Sequence, residues 1–166
     1  MNGSSQAMWT VWGIVEAPVE RVARVLCAVH PGPADDHNGL LVTLEGPAEH
    51  GAIVLAGGPK RFVAAVTEPA TSMDVEVDQE QHRVAVQGHL WYRGVYTVEP
   101  YERGSRLVYE VYNIAPTVMR ALVPLWQSPF HRQMGWRLAR VLRVLGDRLD
   151  CAAYLGAGAE SDACLA

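Results

Sequence analysis

The side chains best suited to chemistry in this sequence are phenols and an imidazole near the ends of its predicted strands and final helix. Tyr96 and Tyr109 lie in two successive strand-like runs, and His131 lies in the first turn of the last helical segment. A phenol offers aromatic area and a hydroxyl group, and an imidazole transfers protons near neutral pH. We therefore take these three residues as candidate catalytic groups for proton transfer on a bound small molecule.

Further residues are candidates for ligand contact because the same pattern places them around the tyrosines. They are Tyr92, Asn113, Phe130, Met134 and Leu138. A simpler interpretation remains open for each group. The tyrosines are equally well explained as core aromatics with satisfied hydroxyls, His131 as a partly exposed histidine, and the helix residues as ordinary core.

The segment 87–94 is the richest polar and aromatic stretch of the chain and supports two interpretations. Under simple strand alternation His89, Trp91 and Arg93 point outward to solvent. A bulge at Gly94 turns the same side chains inward. In that case Arg93 could hold a carboxylate or enolate oxygen and His89 could act as a base.

A long amphipathic helix over 128–155 is the element that must organise these residues. Ser128 is a suitable N-cap and Pro129 suits the first helical position. Trp136 and Tyr154 fall on its polar side, where they stack on arginines or contact a partner. Its apolar stripe consists of Phe130, Met134, Leu138, Val141, Leu142, Leu145, Leu149 and Ala152. Such a stripe requires a cover, which the rest of the chain must supply.

The rest of the chain reads mostly as strands. A first strand over 8–15 precedes a short helix over 18–29, which ends at a proline-rich turn. Seven further strand-like runs are predicted at 40–44, 52–55, 61–67, 72–78, 83–91, 95–101 and 107–113. The breaks between them are short and have turn chemistry, so we expect antiparallel hairpins and not parallel crossovers.

The register of the last hairpin decides which side chains face the helix. A four-residue loop over 102–105 predicts Tyr101 opposite Arg106 and Tyr96 opposite Val111. The face that contains Tyr96 is the more apolar one, and we assign it inward.

Composition and charge limit the classes of function. The chain has 166 residues, of which 49% are hydrophobic and 19% charged, and its net charge is -4. We expect one globular domain over 8–155 between tails at 1–7 and 156–166, a cytoplasmic location, and a monomer or homodimer. Neither nucleic acid nor membrane insertion is expected as a mode of interaction. No nucleotide, cofactor or metal motif appears, so we expect no cofactor and no metal site.

The order of strand, helix ending in proline, antiparallel meander and long terminal helix resembles the SRPBCC superfamily, also called START-like or birch-pollen-allergen-like. Three local sequences carry the resemblance: 15–22 at the first strand-to-helix junction, 104–107 in the last hairpin, and Pro129-Phe130 at the start of the final helix. The resemblance covers about residues 9–155. These are packing and turn sequences, which inform on fold and not on function.

The resemblance implies an α+β helix-grip fold, in which a curved antiparallel sheet of about seven strands wraps the last helix around a cavity for an apolar ligand. Two departures stand out. The second short helix of the family is barely visible between His30 and Asn38, and eight strand runs are predicted instead of seven. A single long strand bent at Gly88 or Gly94 would repair the count.

Two functions follow from this resemblance, and a third is weaker. The first is a cofactor-free cyclase or aromatase-like enzyme of natural-product biosynthesis that acts on a polyketide-like molecule. The second is a non-catalytic carrier, sensor or sequestering self-resistance protein for a hydrophobic molecule. The third, a partner-binding module like the superfamily's co-chaperones, requires an exposed apolar patch, for which Trp91, Trp126 and Trp136 are the candidates.

Overall fold

The protein is described here by a computed structural model that covers residues 7–45, 52–67, 71–88, 91–116 and 128–156. Three helices are present in these ranges, α1 (Val19–Leu26), α2 (Leu40–Glu45) and α3 (Ser128–Leu149). The strands in the same ranges are β1 (Trp9–Val15), β2 (Gly32–Pro33), β3 (Ile53–Gly57), β4 (Arg61–Val66), β5 (Thr71–Asp78), β6 (Arg83–Gln87), β7 (Tyr92–Tyr101), β8 (Gly104–Asn113) and β9 (Ala153–Leu155).

These strands form one antiparallel sheet in the order β2-β3-β4-β5-β6-β7-β8-β1-β9. Seven of them are long, and the two-residue β2 and three-residue β9 form the edges within the described part of the chain. Helix α3 packs against β1 and β9 and touches both shorter helices. Its buried stripe and the inward sheet residues share one core. The predicted helix-grip fold is confirmed.

The run 40–44 is a helix and not the predicted strand. Leu40, Leu41 and Val42 are all buried, and Thr43 is the one polar position of the run, which is too little to reveal its period. A short, mostly apolar run cannot be assigned to strand or helix by periodicity. Helix α2 is the second short helix that the sequence pattern did not reveal, and its presence also removes the surplus strand.

The final helix ends at Leu149, six residues before the predicted end. Asp150 adopts a left-handed conformation with φ of 50°, and the amide of Cys151 donates to the carbonyl of Gly146 at 3.1 Å. This left-handed residue closes the C-terminus of the helix and reverses the chain. The following residues form β9, in which Ala153 pairs with Val15 of β1.

The β7–β8 hairpin has a two-residue turn and not the predicted four-residue loop. Tyr101 pairs with Gly104, and Tyr96 therefore pairs with Tyr109. The predicted register is wrong by two residues. Side chains alternate with a period of two, so this shift leaves every side chain on its predicted face. The inward assignment of Tyr96 and Tyr109 agrees with their complete burial.

Strand β7 has no bulge at Gly94, so of the two alternatives left open by the sequence, simple alternation is the one observed. Gly94 pairs in regular register with Val86 on β6 and with Val111 on β8. Strand β6 stops at Gln87, four residues earlier than predicted, and the next strand starts at Tyr92. The glycine at position 94 therefore needs another explanation, which the site supplies.

The loop that leads into α2 depends on Asn38. Its side chain is buried, donates to the carbonyls of His30 at 3.0 Å and Pro33 at 2.9 Å, and accepts from the amide of His30 at 2.8 Å. We predict that Asn38→Leu lowers the free energy of unfolding by about 2–3 kcal/mol, because it removes all three hydrogen bonds of this buried side chain, at about 1 kcal/mol each. Urea unfolding measures this loss. The exposed neighbour is the control: Asp36→Ala should change stability by less than about 0.5 kcal/mol, and equal losses would contradict the prediction.

Candidate functional site

Side chains from α2, β7, β8 and α3 meet inside the grip and form a polar cluster. Its members are Glu45, Tyr92, Tyr96, Tyr109 and Arg137. Tyr96 and Tyr109 face each other across the β7–β8 pair, and their rings stack with centroids 4.3 Å apart and planes within 6°. Helix α2 ends on Glu45 and delivers its carboxyl group to these tyrosines. We call this set the Glu45 cluster.

A directed chain of hydrogen bonds runs through the Glu45 cluster. The Tyr92 hydroxyl donates to Glu45 Oε2 at 2.8 Å, and the hydroxyl oxygens of Tyr92 and Tyr109 are 2.9 Å apart. A phenol has one proton, and that of Tyr92 is already donated to the carboxyl group. When Glu45 is ionised, Tyr109 therefore donates to Tyr92, and the chain is directed towards Glu45.

Two oxygens of the cluster are buried without a hydrogen-bond partner among the described residues, Glu45 Oε1 and Tyr96 Oη. Tyr96 nevertheless approaches the carboxyl group closely enough for its hydroxyl to lower the pKa of Glu45. No hydrogen bond joins the two side chains, and both atoms are therefore unsatisfied among the described residues. Such atoms usually cost about 1–3 kcal/mol each unless a ligand or water pairs with them.

Burial controls the protonation of the cluster. It raises the pKa of Glu45, while hydrogen bonds from Tyr92 and Tyr96 and the charge of Arg137 act in the opposite direction. Burial, followed by the nearby carboxylate, also raises the pKa values of Tyr92, Tyr96 and Tyr109. The three phenols therefore stay protonated at neutral pH and act as hydrogen-bond donors.

Arg137 supplies the positive charge next to this carboxyl group. Burial lowers its pKa, but the tyrosines and Glu45 have the larger combined effect, and the net shift is upward. The guanidinium group therefore stays charged, whereas burial raises the pKa of the Glu45 carboxyl group near it. A buried carboxyl group with phenolic donors and a fixed cation can accept a proton and stabilise a developing oxyanion.

The structure brings several of the predicted site residues together. Tyr92, Tyr96 and Tyr109 belong to the Glu45 cluster. Asn113 is buried opposite Tyr92, and its side-chain oxygen accepts from the amide of Ala115 at 3.0 Å. Met134 and Leu138 lie fully buried in the α3 stripe. Trp91 packs at the rim, with its ring centroid 5.9 Å from that of Tyr92 and 6.2 Å from that of Trp9.

Arg93 lies on the opposite face of the sheet, which corrects its prediction as a ligand-binding residue. Because β7 has no bulge, Arg93 alternates away from Tyr92 and pairs with Gln87. Its guanidinium group bonds to Glu76 at 2.5 Å and to Gln87 at 3.0 Å. These contacts hold the side chain on the outer surface.

Other predicted residues fall outside what the structure describes. His89 and Trp126 lie in ranges 89–90 and 117–127, and the proposed tails lie almost wholly in 1–6 and 157–166. Phe130 and His131 belong to the first turn of α3, but their side chains are not among the described ones. Their roles stay predictions. Trp136 is 64% exposed on α3, with the Arg140 guanidinium 5.4 Å from its ring centre.

Two members of the cluster escaped the sequence analysis. Glu45 directly follows the apolar run that was interpreted as a strand, so its position at a helix C-terminus was not recognised. Arg137 lies next to Phe130 on a helical wheel of α3, at the edge of the apolar stripe. That placement was the available signal, because an arginine at such an edge reaches the interior with its side chain.

The fold has counterparts among solved structures. Protein NE0264 from Nitrosomonas europaea is similar with a TM-score of 0.54 and 18% identity, over 86% of this chain and 96% of that chain. TTHA0849 from Thermus thermophilus gives a TM-score of 0.44 and 21% identity, over 85% of this chain and 97% of that chain. Ara h 8.0201 gives a TM-score of 0.42 and 15% identity, over 79% of this chain and 98% of that chain.

At these identities the similarity concerns the fold alone, and the two TM-scores below 0.5 carry no argument. No protein-family model matches the sequence, and no curated protein matches it either. Among the described helices, none is long and apolar enough to cross a membrane.

The raised pKa of Glu45 predicts a pH-dependent cost in stability. The folded chain holds the Glu45 proton more tightly than the unfolded chain, where the pKa is near 4.5. The contribution of Glu45 to stability is therefore complete below pH 4.5 and falls as the pH rises through the folded pKa. We predict that Glu45→Gln removes this fall and makes the protein more stable than wild type at about pH 8.

Urea unfolding of both proteins from about pH 4 to about pH 8 measures the difference. The two curves should converge at the acidic end and diverge as the pH rises. A constant difference across this range would contradict the prediction.

Proposed function

We propose that the protein binds an apolar small molecule between the sheet and α3 and acts on it as a cofactor-free acid–base enzyme. One observation supports this most directly: Glu45 Oε1 and Tyr96 Oη are buried close to each other, and neither has a hydrogen-bond partner among the described residues. A ligand hydroxyl or enol group between them would satisfy both atoms, because it donates to Glu45 Oε1 and accepts from Tyr96 Oη. The surrounding stripe of α3 and the inward sheet residues are apolar, which suits a hydrophobic body attached to that oxygen.

In this proposal Glu45 is the base and Tyr96 the donor. The Glu45 carboxylate takes a proton from a carbon next to a ligand carbonyl, and the electron pair moves onto the carbonyl oxygen. Tyr96 Oη donates a hydrogen bond to the resulting enolate oxygen, and Arg137 stabilises the negative charge. The enolate carbon can then attack a second carbonyl of the same chain and close a ring, and the alkoxide that forms takes back the proton held by Glu45. This is the chemistry of a cyclase or aromatase acting on a polyketide-like substrate.

Tyr92 and Tyr109 have a supporting role in this scheme. Their hydrogen-bond chain holds Glu45 Oε2, so the other carboxyl oxygen is left for the substrate. His131, predicted from the sequence as a proton-transfer residue, remains a candidate for protonating the leaving oxygen during dehydration. We also propose that the chain is a member of the SRPBCC superfamily, supported by its order of elements and by the helix-grip fold.

The second candidate function is a non-catalytic carrier, sensor or sequestering protein. The stacked Tyr96–Tyr109 pair favours it, because neutral, fully buried phenols anchor an aromatic ligand without any reaction. Native mass spectrometry of protein purified from its own host would identify a co-purifying molecule. Recovery of that molecule unchanged after incubation with fresh protein would favour the carrier over the enzyme.

We predict that Tyr96→Phe weakens binding of the co-purified molecule about tenfold, because one hydrogen bond to a buried ligand oxygen is lost. Glu45→Gln should retain binding within about threefold but lose at least about 100-fold in turnover. Tyr112→Phe is the matched control, since the Tyr112 hydroxyl bonds to Glu110 on the outer face. Fluorescence titration and product analysis measure both effects. Equal effects of the Tyr96 and Tyr112 substitutions would reject the proposal.

A further inference from the structure

Gly94 lies on β7 between Tyr92 and Tyr96, on the same inward face as both. A Cβ atom at this position would be 2.1 Å from the Tyr92 hydroxyl oxygen and 2.8 Å from the ring carbon that carries it. It would also be 3.1 Å from Cε2 of Tyr109. The Tyr92 ring thus lies along its own strand, in the space that any other residue at 94 would fill.

The backbone at Gly94 does not itself require glycine. It pairs regularly with both neighbouring strands, and its φ lies outside the left-handed region. A glycine inside a regular strand is unfavourable unless something approaches its backbone closely. Here the approaching group is the phenol of Tyr92, which supplies the first hydrogen bond to Glu45.

The Tyr92 ring also packs against other aromatic side chains. The Trp91 ring meets it at 79°, and Trp9 meets Trp91 at 86°. These edge-to-face contacts help to hold the Tyr92 ring in place. The Tyr92 hydroxyl lies between Glu45 Oε2 and the Tyr109 hydroxyl.

We infer that Gly94 is a positioning residue of the Glu45 cluster: the missing side chain at 94 places the Tyr92 hydroxyl on Glu45. Any larger residue displaces that hydroxyl and removes the donor from the carboxyl group. The geometry stands without a ligand, whereas its importance for turnover rests on the proposed function. Glu45 is faced by Tyr92 and Tyr96 from β7, Tyr109 from β8 and Arg137 from α3. Of these, a side chain at 94 would collide with Tyr92 and would approach the Tyr109 ring less closely.

The test is the titration of Glu45 in the full chain, followed by NMR of glutamate carboxyl carbons, with Glu45→Gln identifying the signal. The Tyr92 hydrogen bond lowers the pKa of Glu45, so Tyr92→Phe should move the midpoint upward. Gly94→Ala should move it upward to the same extent. The double variant should match Tyr92→Phe alone, because both changes remove one donor.

Gly88→Ala is the matched control. A Cβ at Gly88 makes only an ordinary contact of 3.6 Å with the Tyr92 ring, so the Glu45 midpoint should stay at the wild-type value. A wild-type midpoint in Gly94→Ala, or additive shifts in the double variant, would overturn the inference. Ligand binding is not needed for this experiment, so its result is independent of whether the proposed function holds.

A double-mutant cycle on the free energy of unfolding tests the inference even if Gly94→Ala folds poorly. In a Tyr92→Ala background the space over position 94 is empty, and the alanine should fit. The stability cost of Gly94→Ala in urea unfolding should therefore be lost, or fall to less than about half, in that background. An equal cost in both backgrounds would show that Tyr92 is not the obstructing group and would reject the inference.

Discussion

The burial of one carboxyl group is the constraint on which the interior of this protein depends. Glu45 places its carboxyl oxygens in an apolar grip, where a charge is costly unless donors and a cation surround it. Those groups come from β7 and α3, while α2 delivers the carboxylate itself. The surroundings of this carboxyl group therefore depend on four features together: the conformation of the loop that contains Asn38, the position of the end of α2, the register of β7 and the rotation of α3 about its axis.

This constraint also explains why the groups of the site lower the stability of the chain. Donors from Tyr92 and a charge from Arg137 reduce the cost of burying Glu45 but do not cancel it, since its pKa remains raised. The two unsatisfied oxygens add to that cost. A protein selected for stability alone would remove these groups, as strained or unsatisfied sites are commonly retained for function.

Much of the fold was predictable from the sequence because it depends on periodicity. The stripe of α3 and the alternation in β5 and β6 are readable directly, and the inward face of Tyr96 and Tyr109 follows from alternation. Helix α2 was not readable, because Thr43 is the one polar position in its short apolar run and defines no period. Losing α2 meant losing Glu45, so the site was predicted with its phenols but without its carboxyl group.

Gly94 shows a second limit of sequence analysis. A glycine inside a strand indicates either a bulge or a close approach of another group, and the sequence does not distinguish them. The choice depended on where the Tyr92 ring lies, which is a property of tertiary packing. The bulge alternative would place Arg93 inside the grip, whereas the regular strand places it against Glu76.

The turn between β7 and β8 has a consequence for how this interior tolerates change. Because successive side chains point to opposite faces, the composition of the interior depends on whether the number of residues gained or lost there is odd or even. An insertion of two residues shifts Tyr109 along its strand relative to Tyr96 but keeps both rings in the interior. An insertion of one residue moves every side chain of one strand to the opposite face of the sheet. Insertions of even length at this turn therefore keep the tyrosines in the interior, because of strand geometry alone. Insertions of odd length do not.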